Sequence, residues 1–240
     1  MNGPLVDWTP PQAQGQPGEG LRERKKRLMR QQLSDTATAM FLERGFDGVR
    51  VTEVAAACGV SDKTVFNYFP VKEALVMDRL EITLAALSAA LSDPGLTPVQ
   101  AVLEVLDQEL GAMTGWLAAQ DDATQSREAV RRFGDLIRAT PALRAYQADM
   151  TDQAATAAAG LLAVRAGMTA DDPEPQIAAR ALLGLWHVQA DSLRRHLDRA
   201  ATPALAHEQV TADVRRAARL IDTGLRTFAA PAPRDNRSAL

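Results

Sequence analysis

The chain is poor in the residues on which metal and redox chemistry depends. Its 240 residues include one cysteine, Cys58, and three histidines. One thiol cannot form a disulfide within the chain, and a zinc site built on cysteine needs further thiol or imidazole ligands. The histidines, His187, His196 and His207, lack the i, i+3 or i, i+4 spacing that places two ligands on one helical face. We therefore expect no metal site and no cofactor.

Long apolar runs are also missing, as are the marks of a secreted protein. No apolar segment reaches the roughly 18 residues that a transmembrane helix needs. Residues 1–20 are rich in proline, glycine and glutamine, and they lack the basic-then-apolar order of a signal peptide. We expect these residues to form a disordered N-terminal lead and the protein to be cytoplasmic, with no membrane partner.

The common sequence motifs of enzymes are absent too. The chain contains no glycine-rich phosphate loop and no G-x-S-x-G nucleophile motif. Its acidic pairs, Asp121-Asp122 and Asp171-Asp172, are typical of loops and helix starts. We therefore expect a protein that is not an enzyme.

Two short helices joined by a tight turn are predicted in the first third of the chain. Thr52 is placed to cap the first, an alanine-rich helix, and Gly59 supplies the left-handed backbone that ends it. Ser61 is placed to cap the second helix, and Pro70 ends it because the residue before a proline avoids helical geometry. Two helices of this length and spacing are typical of a DNA-reading helix-turn-helix.

A basic segment lies directly before this motif. The whole chain has a net charge of −3, yet all four lysines lie within its first 72 residues. Taken alone, such a segment is either a solvated helix end or an arm that approaches DNA, and its position favours the arm. The predicted DNA arm consists of Arg22, Arg24, Lys25, Lys26 and Arg27, and Arg30 extends the same basic cluster.

The order of these features resembles the N-terminal domain of the tetracycline-repressor (TetR) family of bacterial regulators. The resemblance covers about residues 21–80, through a basic helix ending MFLERGF and then VTEVAAACGVSDKTVFNYFPVKEALV. It implies an all-α protein with an N-terminal three-helix DNA-binding domain and a C-terminal helical domain for ligand binding and dimerisation. Phe66 departs from the family pattern, in which a tyrosine is frequent, and Cys58 stands where a smaller residue is usual.

The second helix of the motif divides into an outer and an inner face. Residues three and four apart are neighbours on a helix, so Lys63, Phe66 and Asn67 share one face, while Val65 and Phe69 share another. Lys63 can donate to guanine, Asn67 can pair with a base edge, and a threonine methyl can contact thymine. Phe66 fits the core and the DNA surface equally well. The predicted base-contacting residues are Lys63, Thr64, Phe66 and Asn67.

Phosphate contacts are expected around the same helix. The resemblance implies that Thr52, Tyr68 and Lys72 hold phosphates, and free backbone N–H groups at helix starts also favour an anion. Tyr68 has the alternative of a buried aromatic ring with its hydroxyl at the edge. The predicted phosphate-contacting residues are Thr52, Ser61, Tyr68 and Lys72.

Apolar spacing of the helical kind continues through the rest of the chain. It predicts a long fourth helix that begins near residue 71, followed by helices over about 97–116, 123–138, 141–165, 173–199 and 207–228. We assign residues 21–80 to the DNA-binding domain, 81–229 to a helical regulatory and dimerisation domain, and 230–240 to a loose tail.

The last two helices carry apolar seams that suggest a four-helix dimer interface, with one helix pair from each subunit. The alternative is that these seams pack only within the monomer. The predicted interface residues are Leu185, Val188, Val210, Val214, Ala217, Ile221, Gly224 and Phe228.

If the resemblance holds, the helical domain encloses a pocket for a small effector. Aromatic and methionine residues at helical spacing are candidates for its lining, although such residues commonly belong to plain core. Few acids face an obvious seam, which favours an apolar or amphipathic ligand. The predicted pocket residues are Met113, Trp116, Phe133, Tyr146, Met150, Trp186 and His187.

Together these observations predict a homodimeric repressor that leaves a palindromic double-stranded DNA operator when a small molecule binds. Three other interpretations stay open at this point. One is a regulator controlled by a protein partner, the second is an all-helical enzyme or carrier, and the third is a nonspecific nucleoid binder. The negative charge of the C-terminal two thirds disfavours the last.

Overall fold

A computed structural model describes residues 20–224, and the regular structure of this part of the chain is helical throughout. The all-α prediction is confirmed. Residues 1–19 and 225–240, which include most of the predicted lead, the predicted tail and Phe228, lie outside the described part. The nine helices within it are α1 Leu21–Arg44, α2 Val51–Ala57, α3 Asp62–Tyr68, α4 Lys72–Leu91, α5 Pro98–Ala118, α6 Ala123–Ala139, α7 Pro141–Ala166, α8 Pro173–His196 and α9 Pro203–Asp222.

The first helix changes character along its length. Its N-terminal turns are polar and exposed, whereas Leu33, Ala37 and Phe41 in its second half are fully buried. Gly45 ends the helix with a φ of 76°, a conformation that a residue with a Cβ adopts poorly. The helix therefore anchors the N-terminal domain through one half and projects its basic half into solvent.

The expectation that Thr52 caps α2 is wrong. The helix begins two residues earlier than that cap implies, at Val51, with Arg50 in the capping position. The Glu53 carboxylate fixes this start, because it accepts the Arg50 backbone N–H at 2.7 Å and the Arg44 guanidinium at 2.8 Å. Thr52 lies within the first turn and is exposed.

Proline sets the start of four of the later helices. Pro98, Pro141, Pro173 and Pro203 each occupy the first helical position, where the missing N–H costs nothing. The last helix therefore begins four residues before the predicted start at 207. Thr202 reinforces this start, because its hydroxyl accepts the Leu205 N–H at 3.2 Å.

One apolar core runs from the N-terminal domain into the rest of the described chain, and α4 is common to both parts. Leu75 of α4 is fully buried near α1, where the Ser34 hydroxyl donates to its carbonyl at 2.9 Å. Leu84, Leu87 and Leu91 continue the buried face toward α5 and α7. No helix of the described chain is long and apolar enough to cross a membrane.

Part of the predicted dimer seam belongs instead to the core of one chain. Leu185, Val210 and Val214 are no more than 3% exposed within a single chain, where α5, α8 and α9 pack together. They leave no surface for a partner, and this corrects their assignment to the interface. Four predicted residues keep accessible surface: Val188, Ala217, Ile221 and Gly224.

Candidate nucleic-acid interface and ligand cavity

The turn between α2 and α3 is held by backbone hydrogen bonds. Gly59 has a φ of 68°, and its N–H donates to the Ala56 carbonyl at 3.1 Å. The Val60 N–H donates to the Ala55 carbonyl at 3.0 Å, which completes the Schellman arrangement for ending a helix. These two bonds fix the direction in which the chain leaves α2 and so the placement of α3.

The start of α3 is fixed by Ser61. Its hydroxyl oxygen accepts the Thr64 N–H at 3.1 Å, and the two hydroxyls lie 2.9 Å apart. Both hydroxyls are therefore engaged with each other at the helix start, although Ser61 itself is exposed.

The two faces of α3 separate as the helical spacing predicts. Val65 and Phe69 are buried, whereas Lys63 and Asn67 are exposed on the opposite side. Phe66 is 49% exposed, so it lies on the outer face and is not part of the core. The structure thus brings Lys63, Phe66 and Asn67 together on one accessible surface, which we call the α3 face.

Lys72 does not project freely from the domain. Its ammonium group donates to the Phe46 carbonyl at 2.6 Å and lies 4.2 Å from the Phe46 ring centroid. The Phe41 ring centroid is 5.4 Å away. Lys72 therefore holds the loop after α1, while Tyr68, which was also predicted to contact phosphate, is partly buried.

Arg30 turns away from the basic cluster that it extends in the sequence. Its guanidinium forms ion pairs of 2.6 Å with both Asp78 and Glu81 of α4, and it lies 4.8 Å from the Phe69 ring centroid. Asp78 is buried, and burial raises the pKa of its carboxyl, an effect that Arg30 partly offsets. Arg30 therefore joins α1, α3 and α4. The predicted arm itself faces solvent. Four of its residues are exposed, namely Arg22, Arg24, Lys25 and Lys26, and Arg27 is partly buried.

A cavity of about 290 Å³ lies between α4, α5, α6 and α8. Four of the seven predicted pocket residues line it, namely Met113, Phe133, Trp186 and His187. Trp116, Tyr146 and Met150 do not; they pack, partly buried, against the core elsewhere. Met77 and Leu80 of α4 also line the cavity, so one of its walls is the helix that Arg30 ties to the N-terminal domain.

The most unusual residue of the cavity is Glu109, which the sequence interpretation missed. Burial raises the pKa of its carboxyl to about 7, although the nearby Trp186 indole and Thr83 hydroxyl and the charge of Arg79 act in the opposite direction. Gln189 donates to the same carboxylate at 3.4 Å. The signal was present in the sequence, because Glu109 lies three residues after Leu106 and four before Met113 on the buried side of α5.

Comparison with known proteins identifies the family. The model described as bacterial regulatory proteins, tetR family, matches residues 33–78, and the model of the MftR C-terminal domain matches residues 103–231. The transcriptional regulator TcmR of Streptomyces glaucescens is 30% identical over 186 residues, which is 73% of this chain and 80% of TcmR. The chain belongs to the TetR family.

Two further matches are also described as transcriptional regulators. MftR of Mycobacterium tuberculosis, a candidate regulator of mycofactocin biosynthesis, is 26% identical over 70% of this chain and 81% of its own length. A solved TetR-family regulator of Streptomyces coelicolor is 23% identical and covers 90% of this chain and 93% of its own, with a TM-score of 0.36. The sequence matches carry the family assignment. The TetR-family chain is a DNA-binding transcriptional regulator, and the prediction that it is not an enzyme is confirmed by these relatives.

Proposed function

We propose that this TetR-family regulator is a homodimeric repressor that binds a palindromic operator and leaves it when a small apolar or amphipathic molecule enters the cavity. The observation that carries the DNA-binding part is the α3 face. It is exposed while the opposite side of the same short helix is fully buried. We propose the division into a DNA-binding domain over 21–80 and a regulatory domain over 81–229, acting in the cytoplasm where operator DNA is accessible.

On the α3 face, Lys63 and Asn67 are the proposed readers of base edges. Phe66 is the apolar neighbour that contacts sugar or thymine methyl groups, and Thr64 contributes its methyl group at the edge of the same face. Thr52 and Ser61, both exposed, are the proposed phosphate contacts at the starts of α2 and α3. The exposed basic half of α1 adds charge for neighbouring phosphates.

The proposed coupling between cavity and DNA passes through two connections. On α4, Met77 lines the cavity and the next residue, Asp78, holds Arg30. On α6, Arg132 donates to the carbonyl of Leu42 near the end of α1, while Phe133 lines the cavity. A ligand that favours one arrangement of α4 and α6 thereby shifts the population of α1 positions.

Dimerisation is proposed to use the accessible part of the α8 and α9 seam. Val188, Ala217, Ile221 and Gly224 keep exposed surface there. A two-fold dimer presents two α3 faces to half-sites, which in the competent state are separated by ~34–36 Å or a multiple of that distance. The presence of the cavity supports control by a small molecule over control by a protein partner alone.

The experiment that tests the proposal is a binding selection on random-sequence duplex DNA, followed by affinity measurements of the selected sites against salt concentration. We expect one palindromic site and a steep salt dependence, because phosphate neutralisation releases counterions. No enrichment of any sequence, with binding that vanishes at physiological salt, would overturn the proposed function.

Two substitutions then separate base contacts from phosphate contacts on the selected site. Lys63→Ala should weaken binding unevenly across operator variants, by about tenfold at the positions that Lys63 reads. Thr52→Ala should weaken all variants alike, because a phosphate contact carries no sequence information. If Lys63→Ala leaves the ranking of operator variants unchanged, Lys63 does not read bases.

A further inference from the structure

We propose that the cavity between α4, α5, α6 and α8 binds a hydrophobic cation, in which an aromatic or alkyl body carries one ammonium group that pairs with the Glu109 carboxylate. This inference rests on the proposed function, because it names the chemical class of the effector. It narrows the apolar or amphipathic ligand expected from the sequence to one that carries a positive charge.

Apart from Arg79 of α4, the groups that act on the Glu109 carboxyl are hydrogen-bond donors without charge. Gln189 donates to one carboxylate oxygen at 3.4 Å, and the Trp186 indole and the Thr83 hydroxyl lie close enough to favour the ionised form of this carboxyl. Neutral donors orient a carboxylate but leave its net charge in place. A cation in the cavity would supply the opposite charge that these donors lack.

Other charged groups near the cavity are engaged mainly with one another. On α4, Arg79 lies 3.6 Å from Asp35 of α1, and its attraction for Glu109 is too weak to offset burial. The arginines of α6 and α8 at the cavity pair with acids of their own helices. The charged and titratable groups that face the cavity or α5 are Arg79 from α4, Arg131 and Arg138 from α6, His187, Asp191 and Arg194 from α8, Asp198 just after α8, and His207 and Arg215 from α9. His207 lies beside Asp107.

The remaining walls suit an apolar body. Leu80, Met113 and Ile137 provide aliphatic and thioether surface, and the rings of Phe133 and Trp186 can face a cation. The volume of about 290 Å³ is at the lower end of the roughly 300–1,000 Å³ of known small-molecule pockets. The cavity therefore accommodates one compact molecule whose charged end reaches Glu109.

Binding of a cation has a consequence for protons. The pKa of Glu109 is raised to about 7 by burial, so this carboxyl is only partly ionised at neutral pH. A ligand cation favours the ionised form and lowers that pKa, so binding releases a proton below pH 7. Affinity should therefore rise with pH and level off above the pKa of the free protein.

The test is a titration of the full chain with benzyltrimethylammonium and with neopentylbenzene, its uncharged isostere, followed by ligand-observed NMR. A quaternary ammonium keeps its charge at every pH, so only the protein titrates. We expect the cation to bind at least tenfold more tightly than the isostere at pH 8. We also expect its affinity to fall about tenfold between pH 8 and pH 6, as the ionised fraction of a carboxyl with a pKa near 7 falls.

Two isosteric variants assign the effect to Glu109. Glu109→Gln should lose both the preference for the cation and the pH dependence, while the binding of neopentylbenzene persists. Glu104→Gln lies on the same helix, is exposed and is outside this cavity, so it should behave as the unaltered protein. Persistence of the pH dependence in Glu109→Gln would assign it to another group of the protein and overturn the proposal.

Two other results would also overturn the proposed cation site. One is equal affinity for the cation and the isostere, and the other is the absence of saturable cation binding to the unaltered protein. These results are distinguishable from a failure of the proposed function, because the ligand titrations are measured in the absence of DNA. A chain that selects an operator but ignores the cation remains a regulator with a different effector. A chain that binds the cation but selects no DNA sequence contradicts the regulator and keeps the cation site.

Discussion

At the scale of single residues, two glycines with similar surroundings have opposite roles. Gly59 adopts a φ of 68° in the turn between α2 and α3, and an added Cβ would meet no atom within 4 Å. Gly160 lies inside α7, where an added Cβ is equally free of neighbours. The cost or benefit of a methyl group at each position is therefore set by backbone conformation alone.

Gly59→Ala should lower the free energy of unfolding by about 1 kcal/mol, because a Cβ disfavours the left-handed region. Gly160→Ala should raise it by up to about 1 kcal/mol, because alanine is the better helix former. Urea unfolding followed by circular dichroism measures both. Changes of the same sign would contradict this account.

Glu109 gives a pH-dependent stability whose sign follows from its pKa. Folding raises this pKa from 4.5 to about 7, so the folded protein holds a proton more firmly than the unfolded chain does. The unaltered protein must therefore lose stability as the pH rises from 4.5 to 7, and the loss is complete above 7. Glutamine at the same position carries no such penalty.

We accordingly expect Glu109→Gln to be more stable than the unaltered protein at pH 8, by roughly 2 kcal/mol. The difference should shrink steadily toward pH 5. Thermal or urea unfolding across this pH range measures it, with Glu104→Gln as the control that shows no such trend. A difference that is independent of pH would show that Glu109 ionises as freely in the fold as in the unfolded chain.

What the sequence predicts at this scale depends on how local the interaction is. The Ser61 cap and the Gly59 turn involve residues within five positions of each other, so spacing alone located them. Lys72 is held by Phe46, 26 positions away, and no short-range pattern reports such a contact. Glu109 was identifiable from its apolar neighbours on α5, but the groups that surround its carboxyl come from other helices, Thr83 from α4 and Trp186 and Gln189 from α8.

At the scale of elements, the joint between α1 and α4 is electrostatic. Arg30 reaches Asp78, which is buried, and Glu81, which is 56% exposed and contributes little. Loss of the arginine would leave the Asp78 carboxylate buried without its partner. The sequence predicted both helices but grouped Arg30 with the basic cluster of the DNA arm, because composition does not show which cations of such a cluster turn inward.

Arg30→Met should lower the free energy of unfolding by about 3 kcal/mol, because an unpaired buried charge is costly. Adding Asp78→Asn should restore most of this loss, since the second change removes the charge. Lys26→Met, an exposed position of the same helix, serves as the control with little effect. The measurement is a double-mutant cycle in urea. Additive losses would show that the two side chains are not coupled.

At the scale of the whole molecule, the helical pattern predicted an all-α chain and the approximate bounds of its helices. It did not separate the two uses of the C-terminal seams, because a buried position and an interface position have the same apolar spacing. The accessible remainder of the proposed interface is narrow. Ala217 and Ile221 follow one another at helical spacing on one side of α9, with Gly224 just beyond its end, whereas Arg219 lies on the opposite side of the helix.

Ile221→Glu should weaken dimerisation at least tenfold, because it places a charge in the proposed apolar contact. Arg219→Glu, an exposed charge reversal on the same helix, should leave the dimer intact. Sedimentation velocity over a range of protein concentrations distinguishes the two. Dimers of unchanged affinity in Ile221→Glu would show that the contact between chains lies elsewhere.

The adjacency of Met77 and Asp78 on α4 bears on how this regulator can change during evolution. One residue lines the cavity and the next holds α1, so a substitution that adapts α4 to a new ligand also disturbs the tie to the DNA-binding domain. Phe133 on α6 is placed in the same way, because its neighbour Arg132 donates to the Leu42 carbonyl of α1, whereas Trp186 lines the cavity from α8, whose main packing partners are α5, α7 and α9. Selection for a different effector would therefore accumulate substitutions on α8 first, and α4 and α6 would be the slowest walls of the cavity to diverge.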